Sequence, residues 1–163
     1  MYRKILVPLD ASATAQRALQ EAIGLARTSG GSLRLLHVVD EGPAVFNLDT
    51  PTQFEDYERA LRETGERVLS QALAQARAAG LDADTVLKQI LTVQERPADE
   101  IVAEAARWPA DLIVIGTHGR RGLRRLFLGS VAEGVARMAE QPVLLVRAAP
   151  AVHAAESASK PVG

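Results

Sequence analysis

The sequence predicts a one-domain α/β protein, a doubly wound parallel sheet with helices on both faces. Five short apolar runs recur along the chain, and amphipathic helical stretches separate them. Such alternation calls for parallel strands joined by right-handed crossovers. A chain of 163 residues, 47% hydrophobic and 24% charged, has the balance of a soluble globular domain with one sizeable core.

The predicted strands are residues 5–9 (ILVPL), 33–39 (LRLLHVV), 85–93 (TVLKQILTV), 111–116 (DLIVIG) and 142–147 (PVLLVR). Several are nearly continuous apolar runs, as expected of strands covered on both faces. Lys88 and Gln89 interrupt the third, which marks it as an edge. The first helix follows an N-cap at Ser12 and carries Ala15, Ala18, Leu19, Ala22, Ile23 and Ala26 on one face. The second runs from near Tyr57 through Leu61, Thr64, Val68, Leu69, Ala72 and Ala76, closed by Gly80. Pro97 opens the third, where Ala98, Ile101, Val102 and Ala105 share a face. Ser130 and Glu133 have the spacing of a capping box for the fourth. Residues 41–54 form a long connection, expected to lie over the site as a flap, and 148–163 read as a disordered tail beyond a domain of residues 1–147.

Composition excludes several functions. The chain has no cysteine, so disulfides, thiolate catalysis and cysteine zinc sites are absent. A net charge of −1 gives no overall attraction to nucleic acid or anionic membrane. The N-terminal apolar run is too short for a signal peptide and no stretch is long enough to span a bilayer, which points to the cytoplasm.

The stretch GTHGRRGLRRLFLGSVAE, residues 116–133, carries the chemistry. It follows the fourth strand, and ligands of doubly wound sheets bind beyond the carboxyl ends of strands. Asp10 and Asp40 stand at the ends of the first and second strands, so three loops converge on one rim. Gly116 and Gly119 permit close approach of a ligand, and Gly129 with Ser130 opens a helix whose free N–H groups suit an anion. Arg120, Arg121, Arg124 and Arg125 add positive charge. A structural turn with solvated arginines and an ordinary cap would use the same residues. Asp10 likewise fits a turn, a ribose contact or a water-mediated divalent metal. His118 suits a hydrogen-bonding loop residue better than a general base, His37 a satisfied core position, and Trp108 packing at a helix end. No Walker loop is present, and DASATAQRA after the first strand lacks a dinucleotide glycine fingerprint.

The spacing G-x2-G-x9-G-[ST], realised as Gly116, Gly119, Gly129 and Ser130, resembles the ATP-binding signature of the universal stress proteins. KILVPLDAS, HVVD, DLIVIGTHGR, LGSVAE and QPVLLVR extend the resemblance over residues 2–147. It implies a five-stranded sheet of order 3-2-1-4-5 and a homodimer through the fifth strand, from Pro142 to Arg147. An apolar, uninterrupted edge strand would itself invite such pairing. By the same resemblance Pro8, Leu9 and Asp10 lie near ribose and adenine, and Val38 meets adenine through its backbone. Gly116, His118, Gly119 and Arg120 line the ribose and first phosphates. Gly129, Ser130, Val131 and Ala132 cradle the outer phosphates, with Mg2+ or Mn2+ at Asp10. Ala132 stands where some relatives carry a hydroxyl, which leaves ATP against ADP or AMP open. No nucleophile or base pair is evident, so the implied role is an ATP-binding stress-response or signalling module with at most slow hydrolysis. The alternatives are a dimeric interaction protein without nucleotide and an ATP pyrophosphatase-type enzyme. The latter needs a glycine-serine loop where DASATA stands.

Overall fold

A computed structural model describes residues 1–40, 49–90, 94–118 and 128–147. Nine elements follow in order: β1 Lys4–Pro8, α1 Ala13–Ser29, β2 Ser32–Val39, α2 Pro51–Ala78, β3 Ala83–Gln89, α3 Pro97–Arg107, β4 Leu112–Gly116, α4 Ser130–Met138 and β5 Val143–Val146. The strands form one parallel sheet of order β3-β2-β1-β4-β5, as expected, with β3 and β5 at its edges.

Burial on both sheet faces explains the apolar strands. Ile5, Val7, Leu33, Leu35 and Val114 face α1 and α2, while Leu6, Leu36, Ile113 and Ile115 face α3 and α4. The six α1 residues expected on one face are all buried, together with Thr14. Ser12 caps α1 by accepting from the Ala15 N–H at 3.2 Å. Gly30 and Gly80, at φ +63° and +77°, close α1 and α2 in the left-handed region that favours glycine.

Several boundaries differ from the sequence reading. The third strand begins at Ala83, two residues early, and ends at Gln89; residues 91–93 lie outside the described residues. The flap was expected to reach residue 54, but α2 starts at Pro51. Thr50 accepts from the Gln53 N–H and the Gln53 side chain returns to the Thr50 N–H, a capping box that, with Pro51, makes residues 51–54 helical. The remainder of the flap, 41–48, and the tail, 148–163, lie outside the described residues.

The box expected at Ser130 and Glu133 does not form. Gly129 is the N-cap of α4, Ser130 is its first helical residue, and no side chain caps the end. The Glu133 N–H bonds the Gly129 carbonyl at 2.9 Å, as ordinary helix backbone.

One buried carboxylate was not anticipated. Glu104 of α3 is 2% exposed and pairs with Arg34 at 3.0 Å, with Lys88 at 3.7 Å and with Arg107. Arg34 also grips Asp84 across β2 and β3 at 2.6 Å, and this partner chiefly raises its pKa above the ordinary guanidinium value. Its guanidinium lies 4.8 Å from the Trp108 ring centre, so the tryptophan is packed at the helix end as expected.

Candidate functional site

The carboxyl ends of β1, β2 and β4 open into a cleft of about 630 Å³, where a doubly wound sheet is expected to bind its ligand. Pro8, Leu9, Asp10, Val38, Gly116, His118, Gly129, Ser130, Val131 and Ala132 all line it. Ten of the twelve sequence-predicted site residues thus converge on one cavity; the other two, Gly119 and Arg120, lie outside the described residues, as do the remaining arginines of the loop.

Backbone geometry explains why these positions serve. The Leu9 N–H bonds the Leu36 carbonyl at 2.8 Å, so even-numbered residues of β2 turn their amides toward β1. Two residues on, Val38 turns the same way, but β1 has ended at Pro8. Its N–H and C=O therefore face the cleft, a donor and an acceptor side by side. The Ile90 N–H bonds the Val39 carbonyl at 3.1 Å, which places the alternate residue toward β3.

At the other end of the cleft α4 presents its first turn. With no side chain capping it, the N–H groups of Ser130, Val131 and Ala132 lack an intrahelical partner and point at the cavity. The helix dipole adds to their pull on an anion. Ala132 is 3% exposed and packs with Ala98, Ile101 and Val135 in the core beneath this turn.

Thr117 and His118, directly after β4, are held from two directions. The Thr117 N–H bonds the Val146 carbonyl of β5 at 2.8 Å, and the Gly129 N–H bonds the Thr117 carbonyl at 2.8 Å. The His118 carbonyl accepts from the Thr14 hydroxyl and, at 3.3 Å, from the Ser12 hydroxyl. The His118 ring meets the Thr117 hydroxyl through Nδ1 at 2.9 Å, while Nε2 is buried with no hydrogen-bond partner among the described residues. His37 is buried, its Nδ1 bonded to the Leu9 carbonyl at 2.8 Å, in keeping with a satisfied core position.

Gly116, which lines the cleft, also has a packing reason. A Cβ there would lie 2.8 Å from the Thr14 carbonyl carbon and 2.9 Å from the Ala15 nitrogen. Its smallness admits the start of α1 against β4.

Asp10 accepts from the Ser12 N–H at 2.9 Å, a turn contact. That bond engages Oδ1 and leaves the carboxylate at the cleft wall. No cluster of three or more metal-ligating side chains occurs among the described residues.

Sequence motifs gave no hint of four further lining residues. Tyr57, Leu61 and Thr64 of α2 and Ile101 of α3 border the cleft. Their helical spacing was legible, but it reads as core packing when the cavity is unseen.

The chain matches the model of the universal stress protein family over residues 1–147. It is 36% identical over 147 residues to Universal stress protein MJ0531 of Methanocaldococcus jannaschii, covering 90% of this chain and 83% of that protein. The solved structure of MJ0577, from the same organism, superposes with a TM-score of 0.76 at 27% identity, covering 92% of this chain and 99% of that one. A universal stress protein from Archaeoglobus fulgidus in complex with dAMP gives a TM-score of 0.62 at 26% identity, covering 89% and 98%. No helix among the described residues is long and apolar enough to cross a membrane.

Proposed function

The chain belongs to the universal stress protein family, and on that premise we propose that it is a cytoplasmic adenine-nucleotide-binding module acting in stress response or signalling. The carrying observation is the pairing, in one cleft, of a helix N-terminus without a side-chain cap and of Val38, which lines the cavity beyond the end of β1. A nucleotide fits this polarity. Phosphates sit on the N–H groups of Ser130, Val131 and Ala132, the ribose passes Pro8, Leu9, Asp10, Gly116 and His118, and the base meets the Val38 main chain. A relative solved with dAMP supports the ligand class. Gly119 and Arg120 belong to the same loop by sequence and complete the proposed set.

ATP is the preferred ligand of this reading, with ADP or AMP accommodated because Ala132 contributes no hydroxyl to the last phosphate. Asp10 would help to hold Mg2+ or Mn2+, whose charge would screen the phosphates. The sequence offers no dedicated nucleophile and no evident general base pair, so on this reading hydrolysis is slow at most. The exposed side chains of Leu144 and Leu145 on β5, 38% accessible each, suit pairing with a second copy into a homodimer.

The test is to purify the protein without added nucleotide, denature it, and identify the released small molecule by chromatography and mass. ATP or ADP near one per chain supports the reading. No released nucleotide, together with no heat on titrating ATP and magnesium into the protein, overturns it in favour of a nucleotide-free interaction protein. Gly119→Val, folded but unable to bind, would place the phosphates on this loop; unchanged affinity would remove them from it.

A further inference from the structure

The α2 helix is longer than the sheet it covers. Its 28 residues span about 42 Å at 1.5 Å per residue, whereas the 8 residues of β2 span about 26 Å. Its buried residues, Gly65, Leu69, Ala72 and Ala76, all fall in the second half. Gly65 marks the level of the rim, since a Cβ there would come within 2.6 Å of His37 Cδ2 and 2.7 Å of Leu87 Cδ1. Both neighbours lie two residues before their strands end. The turns before Gly65 therefore overhang the rim, tied to the end of β3 by the bond from Gln89 to Glu58.

Within the overhang, Tyr57, Leu61 and Thr64 recur at steps of four and three and line the cleft. Thr64 spends its hydroxyl on the Ala60 carbonyl at 2.8 Å, so its contribution to the cavity is a methyl group. From the opposite face of the sheet, Pro97 and Ile101 of α3 line the same cavity. Two helices thus give the cleft apolar walls, beside His37 and Asp40 at the end of β2, while α4 offers backbone donors.

From these two walls we infer that Tyr57 and Leu61 of the α2 overhang, with Pro97 and Ile101 of α3 across the cleft mouth, grip the nucleotide base on its two faces and set its affinity. The inference rests on the nucleotide reading above and assigns it residues that no sequence motif marks. A flat heteroaromatic ring fits such a slot. Its edge can bond the Val38 main chain while its faces exclude water, and neither interaction competes with the other. The ring of Tyr57, not its hydroxyl, supplies the contact.

Isothermal titration with ATP and with inorganic tripolyphosphate tests this on the full chain. Tyr57→Ala should weaken ATP about tenfold and leave tripolyphosphate unchanged, as loss of a base–aromatic contact predicts. Tyr57→Phe should keep the wild-type ATP affinity. Thermal unfolding confirms that each variant is folded, and Leu61→Ser replaces Tyr57→Ala if the latter is not. Unchanged ATP affinity in the folded variant, equal losses for both probes, or an equal loss in Tyr57→Phe would each overturn the inference. A wild-type protein that holds tripolyphosphate as tightly as ATP overturns the base slot but spares the phosphate site. A wild-type protein that binds neither probe overturns the nucleotide reading itself.

Discussion

At Gly116 a single missing atom decides whether two elements can meet. The Cβ of an alanine there would lie inside contact distance of main-chain atoms of Thr14 and Ala15, which cannot rotate away as a side chain would. Gly116→Ala should therefore destabilise the fold by about 1–3 kcal/mol, the usual cost of overpacking, lowering the midpoint of thermal unfolding by roughly 2–4 °C per kcal/mol. An unchanged midpoint would mean that the start of α1 yields freely. The glycine was visible in the sequence and its packing against α1 was not, because a signature records where glycine stands and not which atoms crowd it. Glu104 was illegible for a related reason. A charged residue at an apolar position of a helix face reads as a break in the pattern until Arg34, from a distant strand, is placed 3.0 Å away.

The α4 helix begins without a side-chain cap, which leaves the N–H groups of its first turn for the proposed phosphates. Ser12 and Thr50 cap α1 and α2 with their side chains, but Gly129 has none to offer α4. Sequence spacing pointed to this helix start correctly and misplaced it by one residue, since S-x-x-E fits either frame and only the backbone turn at Gly129 separates them. The frame yields a specific substitution. Proline is tolerated at the first helical position, and Gly129 at φ −64° and ψ 147° already has the extended conformation required before proline. Ser130→Pro should thus preserve the helix while removing one N–H and one hydroxyl. Loss of a hydrogen bond to a charged group costs about 1.5–3 kcal/mol, so nucleotide affinity should fall about tenfold or more with the circular dichroism spectrum unchanged. Equal affinity would show that the phosphates sit elsewhere.

The whole molecule was the most legible scale. Alternating apolar runs and amphipathic stretches specify layers joined by right-handed crossovers, and the strand order is what the resemblance to the family implied. What stayed hidden was the reach of α2 past the rim, which depends on comparing lengths in space. At this scale the exposed pair on β5 makes a prediction. Leu144→Arg should leave the unfolding midpoint nearly unchanged and convert the proposed dimer to monomer in sedimentation velocity; a dimer surviving the substitution would use another surface. Strand order also has a consequence for the order of assembly. β1, β2 and β3 are contiguous in the chain and can pair as soon as they are made, but the far side of β1 must wait for β4. Non-local pairing of this kind forms late, after the cost of closing a long loop is met. The cleft draws Val38 from the early half and Gly129 to Ala132 from the late half. A nascent chain would therefore acquire its ligand last, and occupancy would distinguish finished molecules from partly folded ones.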